Sequence, residues 1–239
     1  MTTQTMNCLC KLTRTAANSL TLPLVLVAAS LLLGSEIWAV EVEGWGTVVD
    51  PSSDCKVQVG DGAITITVPD TKHDLYYGGK NVATRFNAPR VVQWVEGNFT
   101  ATVRVTADWD TGVAELGYNG AGLVVWDSEL QYLRHERNRF TNRSNRTLSY
   151  TTPQYDQNNR RVFFNSTTEP FFQGESTWMR VIRFGPNFTT QISHDGENWI
   201  TTGIVSGEFP AEVRVGILAI NSASHPFEVR FDQFSVTQK

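Results

Sequence analysis

Apolar and polar residues alternate along most of this chain. Phe99, Ala101, Val103, Val105 and Ala107 interleave with Thr100, Thr102, Arg104 and Thr106, the period-2 pattern of a strand with one buried and one wet face. Val57 and Val59, then Ile64, Ile66 and Val68, repeat it on either side of Gly60-Asp61-Gly62, which predicts a hairpin. Further strands are predicted at 121–127, 131–138, 161–165, 178–184, 187–194, 213–220 and 227–236. Turn clusters separate them, at Gly185-Pro186-Asn187, Asp195-Gly196, Ser206-Gly207 and His225-Pro226. After the first 39 residues, no window of helical length places apolar residues at i, i+3, i+4 and i+7 between caps. Short strands without intervening helices predict an all-β sandwich of two antiparallel sheets rather than βαβ units. The polar stretch 141–160 reads as a loop.

The first 39 residues break the alternation. Lys11 and Arg14 precede an apolar run from Leu20 to Leu33, Gly34-Ser35 ends it, and Ala39 is a small residue at a cleavage position. The run is shorter than the roughly 20 residues that a bilayer span requires. The expectation is therefore a cleaved signal peptide, no stable membrane span, and an exported protein, secreted or periplasmic, with residues 40–239 as one domain. Five N-x-S/T sequons, at Asn98, Asn142, Asn145, Asn165 and Asn187, are acceptors only in a eukaryotic secretory pathway.

Charge and cysteine content narrow the function classes. The net charge of the whole chain is −4, which argues against a nucleic-acid partner, since such a partner requires excess basic charge. Of three cysteines, Cys8 and Cys10 lie in the leader. Cys55 alone makes no internal disulfide and reads as a small buried hydrophobe, with no His or Arg beside it in sequence to activate the thiol. Neither H-x-x-H, H-E-x-x-H nor C-x-x-C occurs, so no zinc motif is present and no metal site is expected from motifs. No G-x-S-x-G or phosphate loop occurs either.

A set of phrases in fixed order carries a family resemblance: GWGTVVD (44–50) followed by Asp54-Cys55, His73-Asp74-Leu75, APRVVQ (88–93), GAGLVVW (120–126), LRHER (133–137), SHDGENW (193–199), VGILAIN (215–221) and FDQF (231–234). Over residues 44–236 the chain resembles the bacterial domain-of-unknown-function family 1349, within the concanavalin A-like lectin/glucanase superfamily. The resemblance implies a jelly-roll β-sandwich with one concave face. Relatives of that fold bind or cleave polysaccharides, and a fold alone does not assign which.

The residues themselves point to binding more than to hydrolysis. Glycoside hydrolysis requires two carboxylates at a set separation, and the E-x-D-x-E strand of laminarinase-like members is absent. Glu136 lies in a central strand with Arg134 and Asn138 as same-face neighbours, and an adjacent Arg is expected to depress its pKa, the wrong direction for a general acid. Tyr132, Arg134 and Glu136 share a strand face, and Trp126 on the preceding strand offers a stacking platform, so these four are candidates for holding a polysaccharide or other glycan. The bland alternative is a core Trp and a cross-strand ion pair. His73 and Asp74, in a loop with Tyr76, Tyr77, Gly78 and Gly79, are candidate rim residues, against a turn-capping Asp and an exposed His. Asp108 and Asp110 offer oxygen donors to a structural Ca²⁺, and the resemblance implies a second such position near the final strand, where Asp232 lies. SHDGENW reads as a hairpin with Trp199 packed behind its Asp-Gly turn. The expectation is a secreted, non-catalytic, monomeric carbohydrate-binding domain. The alternatives are a glycan-active enzyme and a structural or protein-interaction module.

N-terminal sequencing of the exported protein is expected to begin at Val40. Recovery of Met1 on exported material would overturn the leader assignment.

Overall fold

The computed structural model describes residues 40–76, 84–109, 117–141, 146–155, 161–168 and 174–239. The segment read as a leader, together with Tyr77, Gly78, Gly79, Asp110, Asn142 and Asn145, lies outside the described residues. Seventeen strands are described, and no helix among them. They are β1 (Glu41–Val42), β2 (Gly46–Val49), β3 (Lys56–Gly60), β4 (Ala63–Val68), β5 (Leu75–Tyr76), β6 (Arg85–Phe86), β7 (Arg90–Glu96), β8 (Phe99–Ala107) and β9 (Gly117–Ser128). There follow β10 (Gln131–Thr141), β11 (Arg146–Tyr155), β12 (Arg161–Thr167), β13 (Ser176–Phe184), β14 (Asn187–Ser193), β15 (Trp199–Ser206), β16 (Glu212–Asn221) and β17 (Phe227–Gln238).

Two antiparallel sheets form a jelly-roll sandwich. The first has the order β1-β2-β7-β16-β9-β10-β11-β12 and the second β15-β14-β13-β8-β17-β4-β3, with β5-β6 as a separate two-stranded ribbon. In the second sheet the inward residues are those that alternation predicts. Val91, Leu123, Val125, Leu133, Val215 and Ile217 of the first sheet meet Ile64, Ile66, Val103, Val105, Val181 and Phe231 of the second in one buried cluster. In β17 a bulge lies between Asp232 and Ser235, with Gln233 in the left-handed region at φ 54°. The extra residue re-aims Phe234, whose ring stacks on buried Trp45 at 4.9 Å.

The stretch 141–160 is not a continuous loop, for β11 runs through it, paired to β10 and β12. It escapes the apolar pattern because the interior it faces is polar. Nε2 of His135 donates to the carbonyl of Gln191 at 3.0 Å, and Nδ1 lies 3.1 Å from the Thr152 hydroxyl. Arg137 donates to Thr177 Oγ1 at 2.6 Å, and the Tyr150 hydroxyl lies 3.1 Å from the same oxygen. Satisfied in this way, polar side chains can be enclosed between the sheets.

Burial holds the His135 imidazole neutral, with its pKa lowered to about 4. The unfolded chain binds that proton from about pH 6.5 downward and the folded chain does not. Stability is therefore expected to fall as pH drops from 6.5 towards 4, by about 3 kcal/mol from this group. Urea midpoints across that window should flatten in His135→Leu relative to the parent. An equal slope in both proteins would refute the assignment.

Candidate functional site

The outer face of the eight-stranded sheet carries an aromatic ladder. Register places Trp126 of β9 opposite Tyr132 of β10, and Tyr132 opposite Tyr155 of β11. The rings stack at 5.2 Å and 4.6 Å between centroids. Val92, Val124, Leu218 and Ile220 pack beside them. Such a face has to be covered, and the chain covers it itself with a strap made of the described segments 69–76 and 84–89, which contain β5 and β6. Phe86 meets Trp126 and Tyr132 edge-on at 6.4 Å and 6.2 Å, and Tyr76 meets Tyr155 at 6.5 Å. The Tyr132 hydroxyl donates to the Leu75 carbonyl at 3.2 Å. Backbone bonds between His73 and Asn221 fasten the strap's first half.

One guanidinium joins strap to sheet. Arg134 Nη1 donates to Asp74 Oδ1 at 2.8 Å and to the Leu75 carbonyl at 2.7 Å, and Nη2 lies 3.4 Å from Glu136 Oε1. That oxygen also accepts the Tyr118 hydroxyl at 2.8 Å. Gly120 of β9, opposite Asn138 and diagonal to Glu136, leaves the space in which the Glu136 carboxylate and the Tyr118 ring meet; a Cβ there would lie 2.9 Å from Oε2 and 2.7 Å from the ring. Burial pushes the Glu136 carboxyl up, against the opposing effects of Arg134 and Tyr118. This reverses the expectation that Arg134 would depress it. Complete loss of water around the carboxylate outweighs one ion pair at 3.4 Å.

Five of the six sequence-predicted residues therefore come together: Trp126, Tyr132, Arg134, Glu136 and Asp74. None of the first four is more than 6% exposed, so they lie beneath the strap rather than at the surface. Asp74 makes an ion pair instead of capping a turn. His73 is neither exposed nor part of this group. At 1% exposure it points away, with Nε2 2.8 Å from Asp54 Oδ1. Cys55, partly buried against the core, has this His nearby in space though not in sequence. Both carboxylate oxygens of Asp232 are taken by Arg104, at 2.6 Å and 2.8 Å. Asp195 accepts the N–H groups of Glu197 and Asn198 at 2.8 Å, and Trp199 donates to the Gly196 carbonyl at 3.1 Å, as the hairpin reading requires.

Sequence reasoning missed the exposed end of this face. Trp94 of β7 is 62% exposed, with the Arg214 guanidinium of β16 5.2 Å from its ring centroid. Arg90 lies 4.4 Å over Trp126 in the same way. Trp94 and Gln93 line an open cleft of about 550 Å³ with Glu41, Glu43 and the rest of the β1–β2 hairpin. Trp94 sits among Val91, Val92 and Val95, so the apolar run conceals which residue faces water.

A family model described as "Protein of unknown function (DUF1349)" matches residues 52–239. Among solved structures, a functionally unknown protein from Saccharomyces cerevisiae has a TM-score of 0.69 at 18% identity, over 82% of this chain and 97% of that one. The GH43 BlXynB protein from Bacillus licheniformis has a TM-score of 0.56 at 16% identity, over 82% of this chain and 37% of that longer one. A beta-1,3-glucanase from Mycobacterium marinum has a TM-score of 0.50 at 12% identity, over 83% of this chain and 93% of that one. No curated protein matches the sequence. These likenesses show a shared fold.

Arg134→Ala strands Glu136 and frees the strap, and is expected to cost about 3–5 kcal/mol of stability. The raised Glu136 carboxyl predicts a second effect. Stability should decline as pH rises from the ordinary carboxylate range, because the unfolded chain releases that proton first. Glu136→Gln should remove that decline in calorimetric scans. An unaltered pH profile in Glu136→Gln would show that burial does not raise the carboxyl.

Proposed function

The chain belongs to the DUF1349 family, and we propose that it is a secreted, non-catalytic glycan-binding domain whose sugar site is the cleft beside Trp94. The observation that carries this reading is the exposed Trp94 ring at the wall of a cleft that also presents Glu41, Glu43 and Gln93. A flat aromatic with a few hydrogen-bonding side chains suits a sugar ring, apolar on its face and hydroxylated at its edge. Trp126, Tyr132, Arg134 and Glu136 serve in this reading as the scaffold that aligns β7, β16 and β9 behind the cleft. Export rests on the leader, which makes extracellular polysaccharide the accessible partner.

The charge pattern favours binding over hydrolysis. A general acid requires a carboxyl with a raised pKa within reach of the glycosidic oxygen. Glu136 has the raised pKa, but it is wholly enclosed. The likeness in fold to a beta-1,3-glucanase supplies the context of ligand class.

A panel of soluble polysaccharides tested by calorimetry should contain at least one ligand. Trp94→Ala should weaken it roughly tenfold or more without moving the melting temperature, since the ring is at the surface. Release of reducing sugar from any member of the panel would make the protein an enzyme. Binding indifferent to Trp94→Ala would move the site elsewhere, and no binding at all would favour a protein-interaction role.

A further inference from the structure

On the strap's other side, Asp54, Cys55 and His73 bring an oxygen, a sulfur and a nitrogen within 4.8 Å of one another. The geometry of His73 makes this more than a coincidence of polar groups. Its Nδ1 lies 2.8 Å from the Thr71 carbonyl oxygen. A carbonyl only accepts, so Nδ1 carries the ring proton. In the neutral ring Nε2 then presents a bare lone pair, and it faces Asp54 Oδ1 at 2.8 Å. Nε2 is thus the ring nitrogen left to ligate, with a carboxylate oxygen beside it. A ring N–H given to a backbone carbonyl is also the arrangement that orients a ligating imidazole.

The neighbours complete the case. Cys55 Sγ lies 3.7 Å from the same Asp54 oxygen. The Thr71 hydroxyl donates to the other Asp54 oxygen at 3.3 Å and so orients the carboxylate. Asp50 accepts the Cys55 N–H at 2.9 Å through Oδ2, and its enclosed Oδ1 has no hydrogen-bond partner among the described residues. The His73 side chain is 1% exposed and that of Asp54 41%, so the group is walled on one side and open to an entering ion on the other.

We propose that Asp54, Cys55 and His73 form a binding site for a divalent transition-metal ion of the zinc type. Mixed nitrogen, sulfur and oxygen donors suit Zn²⁺ and its analogue Co²⁺, whereas Ca²⁺ and Mg²⁺ take oxygen donors. Burial and the charges of Asp50 and Asp54 hold the Cys55 thiol well above its ordinary pKa, so it starts protonated. On binding, the S–H bond breaks, a sulfur–metal bond forms, and the proton leaves to solvent. The ion would fasten the 50–55 loop to the strap whose Asp74 and Leu75 grip Arg134, and would stabilise the fold in proportion to its occupancy.

The full chain, freed of metal with a chelator, is titrated with ZnCl₂ by calorimetry in two buffers of different ionisation enthalpy, and with CoCl₂ by absorption. One Zn²⁺ per chain with proton release, a rise in melting temperature reversed by chelator, and a near-ultraviolet sulfur-to-cobalt charge-transfer band are expected. Cys55→Ser should abolish the band, and Cys55→Ser and His73→Ala should each lower Zn²⁺ affinity by at least about tenfold. Co²⁺ uptake by the unaltered chain without the band, or Zn²⁺ affinity unchanged in Cys55→Ser, would place the ion elsewhere and overturn the site. Absence of uptake by the unaltered chain would overturn it too, leaving His73 and Asp54 as a hydrogen-bonded pair.

Discussion

Arg134 ties together two segments 60 residues apart, donating to Asp74 and Leu75 on the strap while lying against Glu136 on its own strand. The outer face of the first sheet depends on that junction. One guanidinium between two carboxylates leaves a net negative charge in a dry setting, which is unfavourable. Burial accordingly pushes the Glu136 carboxyl up, against the opposing effect of Arg134. The aromatic ladder benefits in turn. Trp126, Tyr132 and Tyr155 stay covered only while the strap lies on them, and its polar anchors are Asp74 and the Leu75 carbonyl at Arg134 and the backbone bonds of His73 to Asn221.

The interior between the sheets follows a different rule in its two halves. Where β9, β16 and β7 face β8, β17 and β4, burial of aliphatic side chains supplies the driving force. Where β10 and β11 face β13 and β14, Thr, Tyr, His and Arg side chains meet instead. That half contributes less hydrophobic stabilisation, and it fixes register through directional bonds. Enclosing His135 makes acid the condition under which this seam weakens.

These two rules explain what the sequence disclosed. Alternation located β3, β4, β8, β13, β14 and β17 because one face of each is apolar and the other wet. It concealed β11, whose inward residues are Tyr150 and Thr152, and β7, whose Val91 and Val92 are buried on opposite faces. The spacing of Tyr132, Arg134 and Glu136 correctly put them on one face, with Trp126 opposite Tyr132. It carried no information about the strap above them, since that contact joins residues far apart in the chain. For the same reason the sign of the Glu136 shift was lost, because neighbours in sequence reveal the charge beside a carboxylate but not the water removed from it. Trp94 and the Asp54–His73 pairing likewise depend on how distant loops pack.

The position of β17 sets an order of events during folding. The last strand is not at an edge: it lies between β8 and β4 and pairs with both. Val229 and Phe231, buried at its centre, fill the core that β4 and β8 leave open. Until residues 227–238 arrive, β4 and β8 have no shared partner, and the seven-stranded sheet exists only as two separate hairpin-based pieces. Joining those two pieces takes contacts that span more than a hundred residues, a topology whose loop-closure entropy makes for slow, late closure. A chain lacking this strand has an incomplete second layer, so the sandwich closes only once residues 227–238 are present.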